Sequence, residues 1–294
     1  ILKKAAKHKI LIINEAHHIS LHRVFLKSLL KDLHQLGYSF IGFEALNYED
    51  SFLNQRKYPI INSGTYIKDP CFGNLIREAI ENKYTVFPYE QMYNDPVQVA
   101  LGREKAEATN IKKVMDKNPN AKFIIYCGYD HAVEDTLKNF MGLPTAGQLK
   151  KMTGEDPFTI DQTVLTEYYL VGNRYRKLIN ETYDALFIDS TFNYFNKASF
   201  PKAIDCNLYH PNTEYNQNRP NWLISDKTKF VALQDKITID YPFIIKIYFA
   251  GEDLNTAVPI DVVEIKSAED KTASVVFKKK KQIAVVVNSK GERQ

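Results

Sequence analysis

Short apolar runs alternate with amphipathic stretches of helical length through the first half of the chain. Residues 9–14, 40–43, 85–89 and 122–127 have the length and composition of strands that are buried on both faces of a sheet. Amphipathic stretches separate these runs; in the first of them leucines recur at helical spacing until Gly37. Alternating strands and helices are typical of right-handed βαβ units, so we predict an α/β fold with a mostly parallel sheet flanked by helices.

The same spacing predicts further helices over residues 75–81, 97–115, 131–140 and 145–153. Residues 47–73 instead combine aromatic side chains with prolines and glycines, which predicts a long loop with short elements. A loop of this length inside a compact domain is often functional.

The second half of the chain changes character. Residues 166–230 are irregular and rich in Tyr and Asn, whereas strand-like runs follow one another at 243–249, 258–265, 273–277 and 283–287. We therefore predict an α/β core over residues 1–165, an irregular segment over 166–230 that packs on the core, and an antiparallel β-rich appendage over 231–294.

Composition narrows the classes of function. The 294 residues are 44% hydrophobic and 25% charged, as in ordinary globular proteins, and no apolar run is long enough to cross a bilayer. The net charge of +4 comes from scattered lysines, so we predict no nucleic-acid partner. The three cysteines are widely spaced, which supports neither a zinc knuckle nor a disulfide framework.

Each of the four predicted strands of the first half ends at an acid or a histidine. Glu15 and His17 follow the first strand, Glu44 the second, Glu90 the third, and His131 follows the fourth after Gly128. The carboxyl ends of parallel strands lie at one edge of a sheet, where open α/β sheets bind their ligands. The sequence has no GxSxG, P-loop or GxGxxG motif, so this edge is the candidate site.

Some of these groups also have structural explanations. The motif of Glu15 and His17 has two interpretations. It is either an exposed pair near a helix N-terminus, where an acid is stabilised, or a catalytic pair whose side chains reach a common point above the sheet. Glu44 follows a buried strand, so its carboxylate is in an ion pair, hydrogen-bonded or directed into a cavity. The orientation of Glu90 is ambiguous because Pro88 and Tyr89 precede it, which makes it the weaker acid.

Histidines and arginines near the predicted helix starts complete the set of candidates. His18 and His22 have i, i+4 spacing but lack the glutamate of an HExxH motif, so we predict a solvated helix face for them. Arg23 and Arg103 lie in helices that start near the same edge. An arginine there could hold a substrate anion or a developing oxyanion.

The order of these motifs resembles the erythromycin esterase superfamily, which includes ChaN-type haem-binding lipoproteins and is related to the TIKI/TraB proteases. The first motif reads Asn14-Glu15-Ala16-His17, with Asn14 in place of the usual glycine, and the second reads Gly128-Tyr129-Asp130-His131. Glu44 and the pair Arg103-Glu104 lie between them in the same order. The resemblance covers residues 8–165, and residues 166–294 match no family that we can name.

This resemblance implies a hydrolytic site built on His17, Glu44 and His131. In the esterase-like form, His17 is a general base that Glu44 orients, while His131 and Arg103 stabilise the oxyanion and Glu15 supports them. In the TIKI-like form, His17, Glu44 and His131 hold a divalent ion such as zinc, manganese or cobalt. The remaining candidates are assigned to substrate binding: His18, Arg23, Glu90 and Asp130.

The predicted function is therefore hydrolysis of an ester or amide bond in a small-molecule or peptide substrate. Two alternatives stay open: a ChaN-like carrier of haem or another small ligand, motivated by the aromatic loop 47–73 and the Tyr-rich stretch 168–215, and an inactive scaffold. The resemblance also implies a periplasmic or cell-envelope protein of a bacterium, secreted or held by a lipid anchor upstream of Ile1. The residues themselves neither show nor exclude such an anchor.

Overall fold

The computed structural model describes residues 1–136, 142–167, 174–196, 203–225, 228–233, 236–270, 274–278 and 280–294. Its α-helices are α1 Leu2–Ala5, α2 Ser20–Gln35, α3 Leu53–Arg56, α4 Pro70–Glu81, α5 Pro96–Leu101, α6 Arg103–Lys117 and α7 Thr145–Thr153. Its strands are β1 Ile10–Glu15, β2 Tyr38–Phe43, β3 Thr85–Pro88, β4 Lys122–Gly128, β5 Phe158–Asp161, β6 Ala185–Leu186, β7 Cys206–Tyr209, β8 Tyr215–Asn216, β9 Arg219–Pro220, β10 Thr228–Val231, β11 Phe243–Phe249, β12 Asp261–Ile265, β13 Val275–Lys278 and β14 Gln282–Asn288.

A seven-stranded sheet forms the centre of the fold, with the order β3-β2-β4-β1-β5-β7-β6. Its neighbours pair in parallel except for the short β6, which runs antiparallel to β7. The prediction of a mostly parallel α/β sheet is confirmed. The four strands predicted in the first half of the chain correspond to β1, β2, β3 and β4.

Helices cover both faces of this sheet because β1 is apolar on both sides. Leu11 and Ile13 pack in one cluster with residues of α2 and α4, whereas Ile10 and Ile12 pack in a second cluster with residues of α6 and α7. All four side chains are almost fully buried. Burial of each contributes about 1.5–3 kcal/mol relative to exposure, so this three-layer arrangement holds the strand ends in place.

Three predicted helices have different bounds in the structure. The single helix expected over 97–115 is divided into α5 and α6 at Gly102, whose φ of +78° is favourable for glycine. Helix α4 begins at Pro70 rather than at residue 75, because the Asp69 carboxylate caps it by accepting the Cys71 N–H. In the range 131–140 only a 3₁₀ turn, Tyr129–Ala132, is present up to residue 136, and residues 137–140 lie outside the described part.

The C-terminal half contributes to two regions. Strands β6 and β7, from the segment predicted to pack on the core, extend the main sheet beyond β5. Farther along the chain, β12, β11 and β14 form an antiparallel sheet and β10 pairs with β13, which confirms the β-rich appendage. Residue 273 of the predicted strand 273–277 lies outside the described residues. Among the described helices, none combines the length and apolar character needed to span a bilayer.

Candidate functional site

The carboxyl ends of β1, β2 and β4 meet at one edge of the sheet. Glu15 at the end of β1 is opposite Gly128 at the end of β4, and Phe43 of β2 is opposite Tyr126. This register brings His17, Glu44 and His131, each just beyond a strand end, to the same region. The grouping expected from the sequence is therefore present.

His17 is paired with the buried carboxylate of Glu15. Its Nδ1 lies 2.9 Å from Glu15 Oε1, and the same carboxylate accepts hydrogen bonds from Arg23 at 2.6 and 2.7 Å and from the Tyr126 hydroxyl at 2.8 Å. Burial raises the pKa of Glu15, but the hydrogen bonds from Arg23 and His17 outweigh burial and hold it below its ordinary value. An ionised carboxylate only accepts, so His17 donates from Nδ1 and neutral His17 keeps a lone pair on Nε2.

The imidazole of His17 lies directly over Gly128. A Cβ on that glycine would be 2.4 Å from His17 Cε1, 2.5 Å from Nε2 and 3.3 Å from Glu44 Oε2. The ring of Tyr66 stacks on the imidazole with centroids 4.0 Å apart, and Tyr129 meets it edge-on at 5.1 Å. The His17 side chain nevertheless remains 22% exposed, so solvent or a substrate can reach it.

Arg23 lies beneath this pair, in the protein interior. Besides Glu15, its guanidinium donates to Asp69 and, over 2.8 Å, to the backbone carbonyl of His17. Burial lowers the pKa of Arg23, but the hydrogen bond and charge of Glu15 outweigh it and raise the pKa. Arg23 was expected to contact substrate; in the structure it is 2% exposed and fixes the position of Glu15 and His17.

The partner of Glu44 differs from the expected one. Its two carboxylate oxygens accept from the backbone N–H of Gly128 and from the Arg103 guanidinium, while Oε1 also lies 3.4 Å from His131 Nε2. The carboxylate in contact with the His17 ring is thus Glu15, not Glu44. Glu44 instead joins β4 to the arginine at the start of α6.

Arg103 is the centre of a charged cluster. Its Nε lies 2.9 Å from both Glu90 Oε1 and Glu107 Oε1, and its Nη1 lies 3.1 Å from His131 Nε2. Glu90, the weaker candidate by sequence, therefore belongs to the site. Glu107 is not among the residues predicted from the sequence, although its i, i+4 spacing from Arg103 places the two on one helix face and could have indicated it.

His131 and Glu104 form a second imidazole–carboxylate pair. His131 Nδ1 lies 2.9 Å from Glu104 Oε2, which also accepts from the backbone N–H and the hydroxyl of Thr145. Burial lowers the pKa of His131, but the hydrogen bond to Glu104 and the charge of Glu44 raise it above its ordinary value. The fully buried Glu107 shows the opposite balance, because burial raises its pKa more than Arg103 lowers it.

Two groups of side chains among the described residues could hold a metal ion. One contains Glu104, Glu107 and His131, and the other contains Glu44, Glu90 and Glu107, with ligand atoms within 4.8 Å of one another in each group. His17 belongs to neither, so the set of His17, Glu44 and His131 expected from the sequence is not one of them. The guanidinium of Arg103 contacts every carboxylate of the second group.

The other predicted residues lie around this centre. His18 and Asp130 are exposed, and His18 Nδ1 is 3.2 Å from the Tyr129 hydroxyl. His22 is fully buried, so its expected place on a solvated helix face is wrong: it lies on the inner side of α2 and accepts the Ala16 N–H at 3.0 Å. Asn14, which stands where the resembled motif has glycine, donates to the Tyr129 carbonyl at 2.8 Å and holds that turn.

A cleft of about 720 Å³ opens beside the charged cluster. Glu44 and Glu90 line it at the sheet edge, and residues 45–49, 61–62, 64–65 and 91–94 form most of its remaining wall. The loop 47–73 thus supplies both Tyr66, stacked on His17, and a large part of the cleft. The loop for which the sequence predicts a functional role therefore lies at the candidate site.

No protein-family model matches this chain, and no curated protein matches it. Among solved structures it is similar to the type III effector HopBA1, with 15% identity and a TM-score of 0.33 over 47% of this chain and 76% of that chain. It is also similar to RRSP, a MARTX toxin effector domain from Vibrio vulnificus CMCP6, with 15% identity and a TM-score of 0.34 over 51% of this chain and 34% of that one. A structure described as bacterial protein toxins matches at 16% identity and a TM-score of 0.34, over 49% of this chain and 33% of that one. Similarities of this size define neither a family nor an activity.

Proposed function

We propose that the protein is a hydrolase of an ester or amide bond and that His17 is its general base. The observation that supports this function best is the Glu15–His17 pair. The buried carboxylate binds Nδ1, and Nε2 of the partly exposed ring is turned toward the Gly128 backbone at the sheet edge. A carboxylate that fixes the tautomer and orientation of an imidazole is the arrangement that general-base histidines require.

In the proposed reaction, His17 Nε2 removes a proton from a water molecule as the water oxygen attacks the carbonyl carbon. The resulting tetrahedral oxyanion is stabilised by the positive charge of Arg103, which is partly exposed, and by His131 in its protonated form, which its raised pKa favours. When the oxyanion collapses, the bond to the leaving group breaks and the proton on His17 passes to that group. Glu15 stays ionised throughout and stabilises the imidazolium. General acid–base catalysis of this kind contributes about 10²–10⁴-fold to a rate.

This route needs no metal ion. The metal-assisted form would use His17, Glu44 and His131. The bond from Nδ1 to Glu15 leaves Nε2 of His17 as a ligand atom, but both oxygens of Glu44 are engaged by Gly128 and Arg103. Arg103 already places a cation among Glu44, Glu90 and Glu107. The side chains that could hold a metal are therefore arranged around a guanidinium, and in the proposed mechanism Arg103 supplies the positive charge.

A screen of ester and peptide substrates with matched variants tests this function. We expect His17→Ala to lower kcat by about 10²–10⁴-fold while His34→Ala, which removes an imidazole outside the site, leaves kcat unchanged. Full activity in His17→Ala, or no hydrolysis of any nitrophenyl ester or fluorogenic peptide by the unaltered protein, would contradict the proposal. Titration with haemin separates the alternative carrier function, which requires a shifted Soret band at stoichiometric haemin.

A further inference from the structure

A second cavity, of about 430 Å³, shares no lining residue with the cleft beside Glu44. Its lining combines apolar and aromatic side chains, among them Leu21, Tyr209 and Trp222, with three carboxylates, Glu181, Asp184 and Glu214. A volume of this size is in the range of small-molecule sites. None of these residues has a part in the proposed hydrolysis, so the cavity needs its own explanation.

The indole N–H of Trp222 is already hydrogen-bonded, so the side chain can contact a ligand only through the face of its ring. The indole N–H donates to Thr213 Oγ1 at 3.2 Å, and the backbone N–H of Thr213 is bound in turn by Glu167 at 2.8 Å. The indole also packs against the buried cluster of Ala16, Ile19 and Leu21. The one hydrogen-bond donor of this side chain is therefore already engaged.

Of the three carboxylates around the cavity, only that of Asp184 is paired with a basic side chain among the described residues. Asp184 lies 2.6 Å from His210 Nδ1, but neither Glu181 nor Glu214 forms an ion pair with any side chain in the described ranges. Among the described residues that line the cavity, none is a lysine or an arginine, although the whole chain has a net charge of +4. Arg176 lies just outside the lining, 4.9 Å from the centroid of the Tyr209 ring and 2.7 Å from Asn212 Oδ1. The lining itself is acidic.

We infer that this cavity binds a small organic cation through an ammonium group. An ammonium over the face of tryptophan is attracted by the ring quadrupole, and nearby carboxylates add to that attraction. The aromatic and apolar part of the lining accommodates the carbon skeleton of the same ligand. Glu181 and Glu214 would repel an anion. A neutral apolar ligand would gain nothing from the attraction of the tryptophan ring and the carboxylates for positive charge.

Choline and its uncharged carbon isostere, 3,3-dimethyl-1-butanol, provide a matched pair of probes. We expect choline to bind the unaltered protein with a Kd on the order of millimolar, from the cation–π attraction, the carboxylates and the apolar wall acting together. Titration calorimetry measures the binding, and the fluorescence of Trp222, the chain's one tryptophan, reports its location. Nα-acetyl-lysine amide, titrated in parallel, shows whether a primary ammonium of the kind that proteins carry is also accepted.

Equal binding of choline and its isostere would overturn the inference. It would also be overturned if neither choline nor the lysine derivative showed saturable binding above the signal of a sodium chloride control. Two variants test the residues by calorimetry. We expect Glu214→Gln to weaken choline binding about threefold to fivefold and Trp222→Leu, which keeps an apolar side chain without the ring, about fivefold or more. Glu155→Gln removes the same charge outside the cavity and is expected to leave the affinity unchanged.

Discussion

Gly128 and His17 occupy adjoining space at the sheet edge, and the imidazole of His17 fills the position that a side chain at residue 128 would take. A Cβ on Gly128 would lie 2.4 Å from His17 Cε1, a separation that real Cβ atoms essentially never show. The backbone N–H of the same glycine donates to Glu44. Residue 128 therefore fixes both the imidazole and the carboxylate that holds Arg103.

We predict that Gly128→Ala strongly lowers the proposed hydrolytic activity but only slightly lowers stability. The new methyl group displaces the imidazole, and because His17 is partly exposed the ring can move outward without disrupting the core. A displacement of this size is expected to reduce kcat/KM by about 100-fold. Kinetic assays and the melting temperature, measured on the same preparation, check both parts of this prediction.

Gly42→Ala is the matched control for this variant. It also adds a methyl group against an aromatic side chain, since its Cβ would lie 2.7 Å from Phe87 Cζ, but within the core. Overpacking there should destabilise the protein by about 1–3 kcal/mol with little change in the activity of the folded molecules. Unchanged turnover in Gly128→Ala would show that catalysis does not depend on where His17 lies.

The contrast between Glu44 and Glu15 shows which features of the site were readable from the sequence. Apolar runs followed by polar residues correctly predicted that Glu44, His17 and His131 meet at one edge, because parallel strands align their ends. Which carboxylate binds which ring depends on side-chain directions, which sequence spacing does not encode. Glu15 rather than Glu44 therefore emerged as the partner of His17 only from the structure.

Contacts between residues far apart in the chain were not predicted, because local sequence patterns do not encode them either. Strand β7, residues 206–209, joins the sheet through β5, but four residues in an irregular segment have no periodicity that reveals a partner 46 positions away. Tyr66 stacks on His17 from a loop whose path depends on tertiary contacts. The local sequence around such residues does not predict their tertiary contacts, although those contacts are well defined in the structure.

Replacement of Glu15 by glutamine is expected to reduce stability as well as activity. Arg23 is 2% exposed and would keep only Asp69 as an anionic partner. Because breaking a buried pair typically destabilises by about 3–5 kcal/mol and Asp69 still compensates part of the charge, we expect a loss of up to about 3 kcal/mol. The pKa of Glu15 is below its ordinary value of 4.5, so its contribution to stability is fully present above that pH and is lost as the pH falls through the lowered value. Urea unfolding of both proteins at pH 7 and at successively lower pH measures this difference.

Glu155→Gln serves as the control, because Glu155 forms a partly exposed pair with Lys9 at 3.5 Å. Its removal should change the free energy of unfolding by less than about 1 kcal/mol. If Glu15→Gln were equally mild, the carboxylate would not be the ionised anchor that the hydrogen bonds indicate.

His22 is expected to make the fold sensitive to mild acid. Burial, followed by the charges of His210 and Arg23, lowers its pKa well below 6.5, so the folded protein holds it neutral. The unfolded chain takes up a proton near pH 6.5, and stability therefore decreases as the pH falls below that value. His22→Asn keeps an acceptor for the Ala16 N–H but cannot titrate, so its stability should fall less steeply between about pH 6.5 and about pH 5.

The same pair of unfolding series on His34→Asn provides the comparison. His34 lies near the C-terminal end of α2, outside the site, and is only partly buried, so this variant measures the effect of replacing a histidine outside the core. A slope in His22→Asn equal to that of the unaltered protein would contradict the role given to His22.

Arg103 leads to a prediction about metal ions. Because its guanidinium already contacts Glu44, Glu90 and Glu107, we expect EDTA to leave the proposed hydrolytic activity unchanged. Arg103→Ala removes that cation and leaves three carboxylates whose oxygens lie within 4.8 Å of one another. The variant should lose activity and acquire measurable Mn²⁺ affinity by titration calorimetry, since carboxylate oxygens suit this ion. Loss of activity in EDTA with recovery on addition of Zn²⁺ or Mn²⁺ would instead support the metal-assisted form.

Two substitutions of Tyr66 distinguish the effect of its stacked ring on kcat from the effect of its hydroxyl group. Its ring is nearly parallel to His17, with 13° between the planes and 4.0 Å between the centroids. Burial and the charges of Glu44 and Glu15 raise the pKa of Tyr66, so the hydroxyl stays protonated near neutral pH. Tyr66→Phe keeps the stack and should retain kcat within about threefold, whereas Tyr66→Ala frees the imidazole and should lower kcat about tenfold. Equal losses in the two variants would assign the role to the hydroxyl, as a donor to the oxyanion, rather than to the ring that holds His17 in place.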